Sequence, residues 1–215
     1  MKKPTTLHNQ LIKVGQTIAH RGWVPATSGN FSVREAGNQP IWITSSGRDK
    51  GALTDDQLIA IDANGNPLPD YCTATPSAET LLHTQIYQHF HEVNAVLHTH
   101  SPAGVLLSKL SPAPGTIQLR DYELLKAFPG IRSHTGPYSL PVYANEQHMP
   151  TLARHIEPAF KQHHTTAHDE LPAYLIQGHG LYTWAHTLQQ AMIQLDALEA
   201  IMQCEAQLRL STQCR

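Results

Sequence analysis

The sequence predicts one mixed α/β domain. Short apolar runs of strand length recur along it: Ile41-Trp42-Ile43-Thr44, Leu58-Ile59-Ala60-Ile61, Ala95-Val96-Leu97 and Ala173-Tyr174-Leu175-Ile176. Segments with apolar residues at helical spacing stand between them. Pro and Gly are spread throughout, with no linker, internal repeat or low-complexity tract, so 1–215 reads as one domain.

Composition excludes some classes. The 15 Lys+Arg nearly balance 17 Asp+Glu, which suggests neither a nucleic-acid nor a membrane partner. Cys72, Cys204 and Cys214 are odd in number and widely spaced, giving neither a zinc ribbon nor a disulfide framework, as in a reducing cytosol. The start Met1-Lys2-Lys3-Pro4-Thr5 is polar, no apolar leader follows, and no apolar stretch is long enough to span a bilayer. A cytoplasmic protein is expected. The unusual count is 15 histidines. His8, His89, His91, His163, His164 and His168 lie in polar contexts and read as surface residues.

Leu7, Leu11, Val14 and Ile18 predict an amphipathic helix over 5–21. Thr27-Ser28-Gly29-Asn30 is a polar turn feeding a short strand. Asn30 and nearby backbone N–H groups could receive an anion, or the segment is an ordinary turn. After the strand 41–44, Ser45-Ser46-Gly47-Arg48-Asp49-Lys50-Gly51 suits a phosphate: hydroxyls and amides donate, and Lys50 or Arg48 supplies charge. The Walker spacing is absent. Thr54-Asp55-Asp56-Gln57 is a capping box, 58–61 a strand, and Asp62-Ala63-Asn64-Gly65 a hairpin turn. Thr75-Pro76-Ser77-Ala78-Glu79 opens a helix striped by Leu81, Leu82 and Ile86. Glu79 there either favours the helix dipole or faces a metal.

Ala95-Val96-Leu97-His98-Thr99-His100-Ser101-Pro102 is the stretch around which the rest is organised. Side chains alternate along a strand, so His98 and His100 share a face and can grip one ion. Pro102 ends the strand and a helix follows to Lys109. The alternative is two unrelated histidines. Thr116–Leu119 predicts a strand, and Arg120–Phe128 a short helix carrying Glu123, either a solvated charge or a site carboxylate. Tyr138–Val142 reads as extended, 146–162 as helix, and His163–Glu170 as a polar loop. Ala173–Gln177 is a strand ending in Gly178-His179-Gly180, where the glycines leave room for a ligand. Leu181–Trp184 resumes a strand. From Thr187, the stripe Leu188, Ala191, Met192, Leu195, Leu198, Ile201 and Met202 predicts a long final helix for core or subunit packing.

Taken together, Thr27-Ser28-Gly29-Asn30, Ser45-Ser46-Gly47, Pro76-Ser77-Ala78-Glu79, His98-Thr99-His100-Ser101-Pro102 and Gly178-His179-Gly180 occur in the order seen in the class II aldolase/adducin family. The resemblance covers nearly the whole chain. It implies a three-layer α/β/α sandwich with a central, mainly antiparallel sheet, in a homotetramer with sites near subunit boundaries. It implies one zinc ion on His98, His100 and His179, an open catalytic pattern. It implies that Gly29, Asn30, Ser46, Gly47 and Ser77 hold the substrate phosphate. Glu79 matches the acid/base carboxylate of the aldolases.

Arg120-Asp121-Tyr122-Glu123-Leu124-Leu125-Lys126 resembles the dehydratases of the family rather than its aldolases, and there Glu123 matches the base. Some dehydratase relatives lack a glutamate at the position of Glu79, which makes Glu79 a neighbour of the metal. The implied activity is dehydration of 5-methylthioribulose 1-phosphate to 2,3-diketo-5-methylthiopentyl 1-phosphate, in methionine salvage. Zinc would polarise the ketone, and a carboxylate would take the proton from carbon three. The rivals are an aldolase or epimerase with the same zinc, and a non-catalytic adducin-like module, which the three histidines argue against. Amidohydrolases and cupins also carry His-x-His, but the first are longer βα repeats and the second lack long helices.

Overall fold

The computed structural model describes residues 6–35, 40–68, 75–166 and 170–213. Cys72, Cys214 and His168 lie outside them, as do the side chains of His163 and His164. The chain divides into two compact units, Met1–Thr99 with Trp184–Ala191, and His100–Thr183 with Met192–Arg215.

The first unit holds helix α1 (Thr6–His20), strands β1 (Asn30–Val33), β2 (Ile41–Thr44) and β3 (Leu58–Ile61), helix α2 (Thr80–His89) and strand β4 (Ala95–Thr99). Its strands lie in the order β3-β2-β1-β4, with antiparallel pairing throughout. Every residue of β1, β3 and β4 is buried, the pattern of strands covered on both faces. Gly15 lets α1 approach the sheet: a Cβ there would stand 2.6 Å from Leu53 Cδ1 and 3.3 Å from the Phe31 ring. The capping box forms as read, Thr54 N–H donating to Gln57 Oε1 at 3.3 Å over the short 3-10 turn Asp55–Gln57.

The second unit holds α3 (Pro102–Lys109), β5 (Gly115–Leu119), β6 (Tyr138–Tyr143), α4 (Met149–Thr166), β7 (Ala173–Ile176), most of β8 (Gly180–Ala185) and most of α5 (Leu188–Gln213). Its strands run β8-β7-β6-β5. The β6–β7 pair is parallel, because α4 carries the chain back between them. The β5–β6 and β7–β8 pairs are antiparallel. Tyr174 and Tyr182 face each other in register and stack at 4.9 Å. Burial alternates along β6, so one face of that strand is half open, whereas β7 and β8 are buried throughout. Leu195, Leu198, Ile201 and Met202 of α5 are fully buried. No helix among the described residues is long and apolar enough to cross a membrane.

Four expectations need correction. The helix expected from Pro76 begins at Thr80, and Glu79 is its N-cap residue. The Ser77 hydroxyl takes the Glu79 N–H at 3.3 Å, holding the preceding residues in a local turn. His8 is not a surface residue: it is 5% exposed, stacked edge-on to Trp42, with Nδ1 2.6 Å from Asp55. Only Glu123–Ala127 of the 120–128 segment turns, as a 3-10 helix, after Asp121 takes a φ of 64°. Helix α4 runs on to Thr166, past the point where a loop was expected.

Candidate metal and phosphate site

In the first unit the β1–β4 register sets Asn30 opposite His98. Gly29 makes this approach possible: at its φ of 71°, a Cβ would lie 2.6 Å from the His98 carbonyl oxygen. His98 is fully buried at the end of β4, and its Nε2 lies 3.6 Å from Glu79 Oε1. The other carboxylate oxygen, Oε2, accepts from Asn30 Nδ2 at 2.5 Å. Asn30 Nδ2 also reaches Ser77 Oγ at 3.4 Å. The expected juxtaposition of Glu79 and His98 is therefore present, and Asn30 and Ser77 belong to the same cluster.

Sequence reasoning missed His83. It sits four residues after Glu79, hence on the same side of α2 one turn along, and that spacing was the available signal. Its Nε2 lies 2.5 Å from Asn30 Oδ1 and its Nδ1 2.7 Å from Ser32 Oγ. Burial above all lowers its pKa from 6.5 to about 3, the charge of His98 adding to this and Glu79 opposing it. The folded protein thus holds His83 neutral, while the unfolded chain protonates it below about 6.5. Stability from this group is full above that pH and is lost as pH falls toward about 3. The expected outcome is a steeper loss of urea resistance between pH 7 and pH 5 in the unsubstituted protein than in His83→Gln. Equal slopes would contradict it.

Ser46 and Gly47 lie exposed on the turn after β2. Ser46 N–H donates to Thr75 O at 3.4 Å, tying this turn to the segment that carries Ser77. Among the described residues the hydroxyls of Ser28 and Ser45 are buried without a hydrogen-bond partner, so each can donate to an incoming acceptor. Lys50 departs from expectation. It is 2% exposed, and Nζ donates to Thr27 O at 2.9 Å and Arg48 O at 2.8 Å. Burial lowers its pKa, with Asp49 and then Glu79 opposing. Its ammonium joins the turn before β1 to the turn after β2. Lys50→Met should lower stability by about 2 kcal/mol by leaving both carbonyls unpartnered. It should also raise KM more than it lowers kcat. Unchanged melting and KM would show that the two turns hold without it.

In the second unit, His100 follows the end of β4 and precedes Ser101, the N-cap of α3, whose hydroxyl accepts from Gly104 N–H at 3.0 Å. The rings of His100 and His179 lie 4.6 Å apart. His179 sits in the turn between β7 and β8, where Gly178 takes a φ of 65° and donates its N–H to Ser108 Oγ at 2.9 Å. Gln177 Nε2 donates to Ser111 O at 2.9 Å, a second tie of this turn to the region of α3. His179 Nδ1 lies 3.4 Å from Asn145 Oδ1. Glu123 has a different setting. Its side chain is 69% exposed, 2.6 Å from Lys126 Nζ and 3.2 Å from His134 Nδ1. The hydrogen bond from Lys126 lowers its pKa, with the charges of Lys126 and His134 adding to this.

Glu79 and His98 in the first unit, and His100 and His179 in the second, are side chains of the kinds that hold a metal ion. Glu123 is not among them. Imidazole nitrogens with a carboxylate suit a borderline divalent cation, so these residues fit such an ion by donor chemistry.

The chain resembles known proteins along most of its length. A methylthioribulose-1-phosphate dehydratase of Methylococcus capsulatus is 46% identical over 199 residues, covering 93% of this chain and 92% of that one. The enzyme of the same name from Marinobacter nauticus is 42% identical over 200 residues, with coverage of 93% and 92%. Among solved structures, L-fuculose-1-phosphate aldolase of Thermus thermophilus superposes with a TM-score of 0.72 at 24% identity, covering 96% of this chain and 97% of that one. The aldolase/epimerase/decarboxylase-like YgbL of Escherichia coli gives 0.75 at 21% identity, covering 93% and 87%. These likenesses establish the class II aldolase α/β fold, with a mixed sheet and flanking helices. The model of the class II aldolase and adducin N-terminal domain matches residues 9–206. The chain belongs to the class II aldolase and adducin family.

Proposed function

We propose that this protein is a metal-dependent dehydratase of 5-methylthioribulose 1-phosphate, forming 2,3-diketo-5-methylthiopentyl 1-phosphate in methionine salvage. One observation carries the reading: relatives of that name are 42–46% identical across more than nine-tenths of both lengths. L-fuculose-1-phosphate aldolase of Thermus thermophilus is 24% identical.

His98, His100 and His179 would hold one zinc ion, with Glu79 beside it. Chain continuity supports this grouping. Thr99 alone separates His98 from His100, Glu79 stands against His98, and His179 stands against His100. Zinc, when bound, would polarise the substrate ketone and acidify the neighbouring carbon–hydrogen bond. Asn145, near His179 Nδ1, suits the task of leaving Nε2 as the ligand nitrogen.

The proton on carbon three passes to a carboxylate, in this reading Glu123, while Glu79 supports the metal. The hydroxyl of carbon four then leaves, taking up a proton to become water. The resulting enol gains a proton on carbon four and becomes the diketone. The phosphate rests on Gly29, Asn30, Ser46, Gly47 and Ser77. The Asn30 side chain is committed to Glu79 and His83, and the Ser28 and Ser45 hydroxyls add donors. Several donors share one dianion, so each loss costs affinity before chemistry. Ser46→Ala should raise KM by roughly tenfold with zinc content unchanged. Loss of metal with normal KM would place Ser46 elsewhere.

The two units would act as one class II aldolase-like domain, as a single family model across 9–206 suggests. A cytoplasmic homotetramer fits the reading. Leu124, Ile193, Leu208 and Leu210 are large exposed apolar residues of the second unit, suited to contact with other subunits. The functional test is to offer methylthioribulose 1-phosphate beside ketose 1-phosphates lacking the methylthio group. Preferred consumption of the methylthio sugar is expected. Failure to consume it would refute the substrate.

A further inference from the structure

We propose that His83 is a positioning residue that locks the Asn30 amide so that its NH2 group faces Glu79. The inference rests on the reading that Glu79 belongs to the site. Hydrogen-bond roles follow from one end of the chain of contacts. Glu79 Oε2 can only accept from Asn30, since a flipped amide would set oxygen against oxygen at 2.5 Å. Asn30 Oδ1 therefore points at His83, and His83 Nε2 must carry the hydrogen. A neutral imidazole then has Nδ1 as acceptor, so the Ser32 hydroxyl donates to it at 2.7 Å. The Ser32 oxygen in turn accepts from Tyr87 OH at 2.9 Å. His83 and Ser32 are fully buried and Tyr87 is 2% exposed, so no water competes along this path.

The series Tyr87–Ser32–His83–Asn30–Glu79 thus has one direction of donation from the core to the carboxylate. The register that pairs Asn30 with His98 places the amide at the strand end where this is needed. Without His83 the amide can rotate, and Glu79 loses both its donor and its fixed orientation.

The test pairs kinetics with a spectroscopic readout. In protein labelled with 15N at asparagine, the Asn30 side-chain NH2 signal, assigned by its loss in Asn30→Ala, should lie displaced by its bond to the carboxylate. His83→Leu should return it toward the free-amide position and lower kcat on the order of tenfold, with KM and bound zinc little changed. His83→Gln, which keeps an N–H donor, should restore both. In the Asn30→Ala background, His83→Leu should cost nothing further. An unmoved resonance in His83→Leu, or an equal kcat loss in the Asn30→Ala background, would overturn the proposal. Should His83→Leu not fold, Ser32→Ala frees the tautomer and should give the same shift with a smaller fall in kcat; normal kcat and an unmoved signal there contradict it. If the unsubstituted protein turns over no ketose phosphate while the resonance shifts as stated, the dehydratase reading fails and the lock stands.

Discussion

Replacing His179 with alanine should strip the metal and abolish turnover. The other histidines of the proposed site come from one short stretch, His98 and His100, and two imidazoles alone hold zinc weakly. Loss of a group that merely orients a ligand costs roughly 10- to 100-fold in metal affinity or activity. Loss of a ligand should exceed that, so purified His179→Ala should carry little zinc and lose more than about 100-fold in kcat. Metal analysis and turnover of the same preparation check both. Full zinc retention in His179→Ala would remove this residue from the site, and with it the three-histidine assignment.

The second large effect concerns the proton acceptor. Glu79 is held at His98 by Asn30, and Glu123 is a surface carboxylate beside Lys126 and His134. In the proposed mechanism Glu123 is the acceptor, and Glu79, beside His98, supports the metal. Glu123→Gln keeps size and polarity but cannot take a proton. It should bind zinc and substrate yet lose on the order of 100-fold or more in turnover. Exchange of the carbon-three proton with deuterated solvent separates the two roles: it should cease in Glu123→Gln and persist in Glu79→Gln. The reverse pattern would make Glu79 the base, as in an aldolase.

Much of this was legible because strand ends and glycine turns leave local marks. His98 at the end of an apolar run, the glycines around His179 and the Ser-Gly turn after β2 are each visible within a few residues. Their order along the chain makes the family recognisable where no single motif would. Burial of polar groups was not legible. His8 and Lys50 look like solvated side chains, because nothing nearby in sequence reveals Trp42 and Asp55 for the one, or the Thr27 and Arg48 carbonyls for the other. His83 was hidden for the same reason: its partners, Asn30 and Ser32, lie about fifty residues away on β1. The start of α2 was misplaced because Pro76 suits a first helical turn, while the Ser77 hydroxyl stabilises a competing local turn.

The most direct measurement is the product formed from methylthioribulose 1-phosphate in deuterated water, read by carbon and proton NMR. Dehydration predicts adjacent carbonyls at carbons two and three, one solvent deuteron on carbon four, and an intact five-carbon chain. Cleavage between carbons three and four, giving a methylthio aldehyde and a three-carbon ketose phosphate, would contradict the account and make this fold an aldolase here.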